Sequence, residues 1–353
     1  SEQADLEVAI GRSPDGRAAD KLNVHIDDTS LTVATSKTST SPAEQTIDGL
    51  RMIFAGCYAA APILHRLLGM EEAGYSPVRD PFIVKFGALG IPDDLLDAPL
   101  EFTDVGLAGA GAIGNGFLRA LRHIRAVGTL PIIDPKRVGQ GNANRCLYFN
   151  ESDINTPKAP LLAARAQQDF ASLMLEPYIQ SFSEFVRDRG RVKCAIVATD
   201  SRRVRRTIQA DMPLEVVDAS TTDIREIIVH SHRQPTDGAC LACIYRHIPD
   251  EAAREREIAQ GLDISVEDIA QGFVSAAIAE KIVRVHFDRD PAAIVGMAFD
   301  SLFKQRCAEQ RLPSAAGVQV LAPFAFVSNL AGAYLALEVA RLNRDALDCN
   351  RTN

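Results

Sequence analysis

The chain has no tryptophan, and its aromatic residues make up only 6% of 353 positions. A surface that stacks nucleic-acid bases on rings is therefore short of material. Positive charge is in deficit as well. The 38 Lys and Arg stand against 46 Asp and Glu, and the net charge of −8 argues against a general nucleic-acid binder. The seven cysteines, at 57, 146, 194, 240, 243, 307 and 349, are odd in number and spread over a long chain, so they do not make a disulfide framework. That usage suits a reducing, cytoplasmic setting. No basic stretch followed by an apolar run opens the sequence, and no export signal is expected. The longest uncharged run, Ala315 to Leu337, is long enough for a bilayer but carries Gln319, Pro323, Ser328 and Asn329 and is rich in Ala and Gly. It fits helices packed on all sides within a protein better than a lipid-facing span.

What remains is an ordinary globular composition, 46% apolar, at a length that suits about two domains. Residues 1–100 read as a small α+β unit of open role, with a Ser/Thr-rich segment from Asp27, a helix over Gln45 to Leu68 and a strand at Ile83 to Phe86. Residues 101–353 alternate apolar β runs with helical stretches: VGLAGAG, a helix from Ile113 to about Val127, LPIID, a helix after Lys158, KCAIVATD, a basic helix after Asp200, and LEVVDAS. This alternation predicts an α/β, Rossmann-like, mostly parallel sheet with helices on both faces. IREIIVHSH and LACIYRH read as two further β runs, an antiparallel extension. Residues 250–313 read as a helical, charged crossover insert, and the apolar run closes the domain.

GAGAIG places Gly109, Gly111 and Gly114 directly after a β run and at the opening of a helix. In that context the first glycine permits the turn, the second lets backbone N–H groups approach phosphate, and the third permits close helix packing. Asp134, ending the next strand, stands where a ribose-binding acid belongs, so an NAD-dependent oxidoreductase is one reading. The excursion after it, IIDPKRVGQGNANRCLYFNESDINTPKA, adds Asn142, Arg145 and Lys158. A pyrophosphate held by a glycine loop needs no further cations, whereas a triphosphate positioned for displacement at its α-phosphorus does. Asp200 ends another β run at the same sheet edge, where a carboxylate could hold Mg²⁺.

Taken in order, GAGAIG, Asp134, NANR, TPK and TDS resemble the motifs of the ThiF/MoeB/ubiquitin-activating (E1-like) adenylyltransferase superfamily, over roughly Asp104 to Leu342. The resemblance implies ATP and Mg²⁺ as cofactors. It implies Asp134 on the ribose, Asn142, Arg145 and Lys158 on the phosphates, Asp200 on the metal, and Arg205 as a matching arginine in the next helix. The implied reaction transfers AMP to the C-terminal carboxylate of a ubiquitin-like protein, or of a peptide, and releases pyrophosphate. A homodimer, and a downstream conjugating enzyme, are the implied partners, with neither nucleic acid nor membrane among them. Three departures stand out. Lys136 replaces the second acid of the D-x-D strand end, Cys146 replaces the glutamine after the motif arginine, and the N-terminal segment lacks the family's RYxRQ helix. Arg51 and Arg79 are the nearest arginines to take the place of the one that helix supplies across a dimer.

Each feature alone has a bland reading: a turn for the glycines, a helix cap for a lone Asp, solvated surface for Arg145 and Lys158. Their joint order outweighs those readings. The cluster RRVRR, Arg202 to Arg206, reads as a helix surface with one arginine turned to the site. Cys240 and Cys243 form CLAC, where relatives carry half of a Cys₄ zinc site. No second CxxC follows, and the spacing of Cys307, Cys349 and His247 does not complete a Zn²⁺ site, so a metal-free remnant is expected. In ubiquitin-activating relatives a crossover cysteine accepts the acyl group as a thioester. Cys307, between Lys304, Arg306 and the following AEQR, is the candidate here, with a buried helix cysteine as the alternative. Cys57, Cys146 and Cys194 read as packing. A peptide-modifying adenylyltransferase and a catalytically inactive partner subunit complete the alternatives.

Overall fold

The computed structural model describes residues 6–10, 21–36, 47–67, 76–91, 98–221, 227–245, 249–271, 273–286, 290–303 and 324–343. Its contacts divide the chain into Ser1–Ala98 and Pro99–Asn353.

The first unit holds β1 (Glu7–Ile10), β2 (Lys21–Ile26), β3 (Ser30–Ala34), α1 (Gly49–Leu67) and β4 (Phe82–Lys85). The sheet order is β1-β2-β3-β4, with β1 parallel to β2 and the other pairs antiparallel. The Asp27 carboxylate accepts the N–H groups of Thr29 and Ser30, each at 2.8 Å, and so turns β2 into β3. Alternation then sends Leu22, Val24, Leu31 and Val33 to one face, where they pack with Ala55 and Ala59 of α1 and with Phe86.

The second unit is built on a seven-stranded sheet. Its strands are β5 (Leu100–Phe102), β6 (Val105–Ala108), β7 (Ala126–Ile133), β8 (Leu173–Tyr178), β9 (Cys194–Val197), β10 (Glu215–Thr221) and β11 (Ile227–Arg233). β5 and β6 succeed one another along the same side of β7, separated by Asp104 at φ 54°. β8 lies on the far side of β7, and β9, β10 and β11 follow beyond β6. All pairs are parallel except β10 with β11. This is the doubly wound order, in which the chain changes direction between β6 and β9. Those two strands are buried along their whole length, as central parallel strands are.

The covering helices are α2 (Ala112–Leu121), α3 (Lys158–Ala166), α4 (Phe182–Arg189) and α5 (Arg202–Ala210). α2 is shorter than its apolar pattern suggests, because Ala126 and Val127 already belong to β7. The expected strand LACIYRH is instead the short helix α6 (Leu241–Ile244). The fully buried Leu241 donates its N–H to Gln209 Oε1 at 3.1 Å, and the helical turn brings Tyr245 back onto the sheet. The crossover insert holds α7 (Pro249–Leu262), α8 (Val266–Ala270) and α9 (Ala276–His286). It has its own core of Ile258, Leu262, Ile278, Ile282, Phe299 and Leu302. The closing helix α10 (Ala325–Asn343) begins later and runs further than the uncharged stretch, while residues 304–323 lie outside the described ones. It packs against α2 so closely that a Cβ on Gly332 would lie 2.4 Å from the Gly116 backbone. Among the described residues no helix is long and apolar enough to cross a membrane.

Candidate active site

The glycine loop occupies the switch point. Gly109 takes φ +111°, and a Cβ there would lie 2.6 Å from the Ala198 carbonyl oxygen at the end of β9, so only glycine lets the two strand ends meet. Its N–H donates to the Ile133 carbonyl at 2.9 Å. A Cβ on Gly114 would strike the Gly109 carbonyl at 2.3 Å, which sets how tightly α2 closes on the loop. Gly111 is the N-cap of α2, and no protein atom lies within 4 Å of its Cβ position. The backbone therefore faces open space where the helix dipole is positive.

Asp134 is 5% exposed, and its carboxylate is bound to backbone on both oxygens. Oδ2 accepts the Ala110 N–H at 2.8 Å and Oδ1 accepts the Lys136 N–H at 2.8 Å. Whatever else it touches, Asp134 holds the loop to the end of β7. Asn115 does a related job that the sequence reading missed. Fully buried in α2, it donates to the Gly111 carbonyl at 2.9 Å and accepts the Tyr148 N–H at 3.0 Å, joining the loop to the excursion that carries Arg145. An amide inside an apolar helix is the signal that could have found it. Asn142 Oδ1 accepts the Gly139 N–H at 2.9 Å and so holds its own turn. Arg145 is half-buried, and among the described residues its guanidinium reaches the neighbouring Asn144 side chain alone, at 3.3 Å. Arg165 anchors the excursion from α3, donating to the Tyr148 carbonyl and to both oxygens of Asp153 at 2.6 Å.

Lys158 opens α3 with its N–H donated to the Lys136 carbonyl at 2.9 Å. Its side chain is 8% exposed, and no hydrogen bond or ion pair meets its ammonium among the described residues. Burial pushes this lysine below its ordinary pKa, against the attraction of Asp134 and Asp200 and helped by Lys136. The neighbouring Cys146 thiol is pushed up to about 11 by burial, with Lys158 and Arg145 opposing. These mutual influences place Asp134, Lys136, Arg145, Cys146, Lys158 and Asp200 in one electrostatic neighbourhood.

Lys136 Nζ donates to Asp200 Oδ1 at 2.6 Å, and the same oxygen accepts Ser301 Oγ at 2.7 Å. Burial pulls the Lys136 pKa down, and the carboxylates of Asp200, Asp134 and Asp300 outweigh it, so the ammonium lies above its ordinary value. Ser201 Oγ donates to Asp300 at 2.9 Å while capping α5 through the Val204 N–H at 3.3 Å. Asp300 and Ser301 thus come from the far end of the insert, and no local motif announces them. Arg205 does turn inward, to a buried network rather than to open space. It meets Asp218 and the Thr199 carbonyl, donates to the Ala219 carbonyl at 3.0 Å, and lies 4.7 Å from the Tyr245 ring centre. Through Thr199 it supports the backbone beside Asp200.

Among the described residues no group of three or more His, Cys, Asp or Glu is arranged to hold a metal ion. Cys240 and Cys243 lie with their sulfurs 3.6 Å apart at α6. Cys307, Cys349 and His247 lie outside the described residues. Arg51 is paired with Asp48, and Arg79 is exposed.

A sequence profile of the ThiF family matches residues 90–343, taking in the whole sheet, the loop and the insert. The chain belongs to the ThiF family. The match agrees with the motif order read from the sequence, and favours it over the oxidoreductase reading. The uncharacterised protein y4jF of Sinorhizobium fredii is 26% identical over 309 residues, covering 81% of this ThiF-family chain and 58% of the relative. The chain thus spans under two thirds of that relative's length. The NEDD8-activating enzyme E1 catalytic subunit of Caenorhabditis elegans is 28% identical over 123 residues, covering 34% and 28% of the two chains. Among solved structures, Escherichia coli MccB with ATP aligns at a TM-score of 0.41 with 14% identity, covering 74% of this chain and 60% of MccB.

Proposed function

We propose that this ThiF-family chain adenylates the C-terminal carboxylate of a ubiquitin-like protein. The observation that carries the reading is Lys158. Its side chain is largely buried and no hydrogen bond or ion pair meets its ammonium among the described residues, so an anion placed there is favoured. Lys158 stands in the same electrostatic neighbourhood as Asp134, at the sheet edge where the glycine loop opens.

The residues divide the work. The Gly111 backbone and the α2 N-terminus receive phosphate, and Lys158 and Arg145 neutralise the triphosphate. Asn142 holds the turn that aims Arg145, and Asp134 fixes the loop beside the ribose. An oxygen of the substrate carboxylate attacks the α-phosphorus in line. The bond from that phosphorus to the bridging oxygen breaks, pyrophosphate leaves with the electron pair, and an acyl adenylate remains. A thioester follows if the Cys307 thiolate attacks the acyl carbon and expels AMP.

ATP–pyrophosphate exchange with a small protein ending in Gly-Gly tests the first step. Lys158→Ala should lower exchange by about 100-fold or more, the scale of losing a fixed charge on a transferring phosphoryl group. Unchanged exchange in that variant would overturn the reading. Cys307→Ala should leave exchange intact and abolish any thioester seen on non-reducing gels. Exchange with free peptides alone and no thioester in the unaltered protein would favour a peptide-modifying enzyme. No exchange with any such carboxylate, in a protein that still binds ATP, would favour an inactive partner subunit.

A further inference from the structure

The Asp200 carboxylate, which the family pattern assigns to magnesium, already meets a cation belonging to the chain. Lys136 Nζ lies 2.6 Å from Asp200 Oδ1, and Ser301 Oγ donates to the same oxygen at 2.7 Å. The Lys136 end of this contact is fixed by its backbone. The Lys136 N–H is bound to Asp134 at 2.8 Å, and its carbonyl accepts the Lys158 N–H at 2.9 Å. The Lys136 side chain is 16% exposed and that of Asp200 is 50% exposed. Asp200 is flanked by Thr199, whose carbonyl is held by Arg205, and by Ser201, which is bonded to Asp300 at 2.9 Å. With the lysine largely buried and its backbone bonded, this pair orders less side chain than a salt bridge between two free surface residues.

The donor set does not fit a metal held by the protein. Magnesium asks for oxygen ligands in a strict octahedron and favours carboxylates. Here the position that would supply a second carboxylate supplies a positive charge instead, and no group of three or more acids, His or Cys among the described residues is arranged around a metal position. A divalent ion approaching Asp200 would meet a carboxylate already neutralised and an ammonium that repels it.

We propose that Lys136 is the resident cation of this site, taking the place of a protein-held magnesium ion at Asp200. An ammonium has three N–H donors. One goes to Asp200, and two remain for oxygens of the nucleotide phosphates. ATP as the ligand rests on the adenylation reading, whereas the exclusion of a metal from Asp200 does not.

Two measurements on the full chain test this. Manganese titration of nucleotide-free protein, read by the EPR signal of unbound Mn²⁺, should detect no site in the unaltered protein and one site in Lys136→Asp. Calorimetric ATP binding should differ by less than about threefold between excess EDTA and excess Mg²⁺ in the unaltered protein, and by about tenfold or more in Lys136→Asp. A Mn²⁺ site in the unaltered protein that Asp200→Asn removes would overturn the proposal, as would a tenfold or greater loss of ATP affinity in EDTA. Should Lys136→Asp fail to fold, the two measurements on the unaltered protein decide alone. Failure to bind ATP in either buffer would reject the adenylation reading, while the manganese titration would still decide the place of Lys136.

Discussion

Lys158, His230 and His232 are all buried bases, and they meet burial differently. Lys158 has no hydrogen-bond or ion-pair partner among the described residues, and burial lowers its pKa against the pull of Asp134 and Asp200. That suits a residue shaped by an anionic ligand and costs stability in its absence. Lys158→Met should therefore raise the thermal midpoint by a few degrees, roughly the effect of removing about 1 kcal/mol of buried strain, while weakening ATP binding by tenfold or more. A midpoint that falls would show the ammonium to be structurally satisfied. The two histidines sit on β11 with His230 Nε2 and His232 Nδ1 2.9 Å apart, each 1% exposed. Among the described residues, His230 Nδ1 and His232 Nε2 have no hydrogen-bond partner. Burial lowers both to about 4, with the neighbouring imidazole adding to the shift of His230. Unfolded, they return to about 6.5 and bind more protons than the folded state at any pH between those values. Their contribution is complete above about 6.5 and is lost as pH falls towards about 4, with a slope of up to about 1.4 kcal/mol per pH unit for each imidazole. Urea unfolding at pH 7.5 and pH 5 should show the loss, and replacing both by leucine should flatten it. An unchanged slope in the double variant would mean that the pair is not held neutral.

At the scale of elements, α2 and α10 cross with their backbones in contact. A Cβ on Gly332 would lie 2.4 Å from both the Gly116 carbonyl carbon and the Phe117 nitrogen, backbone atoms that cannot swing aside. Gly332→Ala should cost about 1–3 kcal/mol by forcing the helices apart, visible as a lower urea midpoint. No change would mean that α10 slides without penalty. Because α2 begins at the glycine loop, ATP binding should weaken in parallel. This crossing also marks the limit of what the residues disclose. The loop was legible because its glycines recur at fixed spacing between a β run and a helix. Gly116 and Gly332 were not, since an interface of small residues leaves no period. β8 leaves little trace in the sequence because LMLEPY is short and carries Pro177, and an apolar run of the length of LACIYRH suits a strand or a helix turn equally. Asp300 and Ser301 reach the site from 99 and 101 positions beyond Ser201 and Asp200, a distance no local motif spans.

Over the whole molecule, all the candidate nucleotide residues named here, Gly109 to Asp200, fall within Pro99–Asn353, together with the sheet that positions them. The charge around them is close to balanced, since Lys136 and Lys158 face Asp134, Asp200 and Asp300, so the site is no simple basic patch within a chain of net charge −8. Each unit has a separate core: Leu22, Val24, Leu31, Val33 and Phe86 in the first, and the clusters about Val197 and Phe299 in the second. A unit with its own core is able in principle to fold alone, and the second is of a size to bury enough apolar surface for it. Residues 99–353 expressed alone should therefore unfold cooperatively and bind ATP within about threefold of the full chain's affinity. If the first unit recognises the acyl partner, the same fragment should lose pyrophosphate exchange while keeping ATP. A fragment that folds but cannot bind ATP would mean that the nucleotide site depends on the first unit. One that keeps full exchange would remove the first unit from partner recognition and leave the crossover insert as the surface to examine.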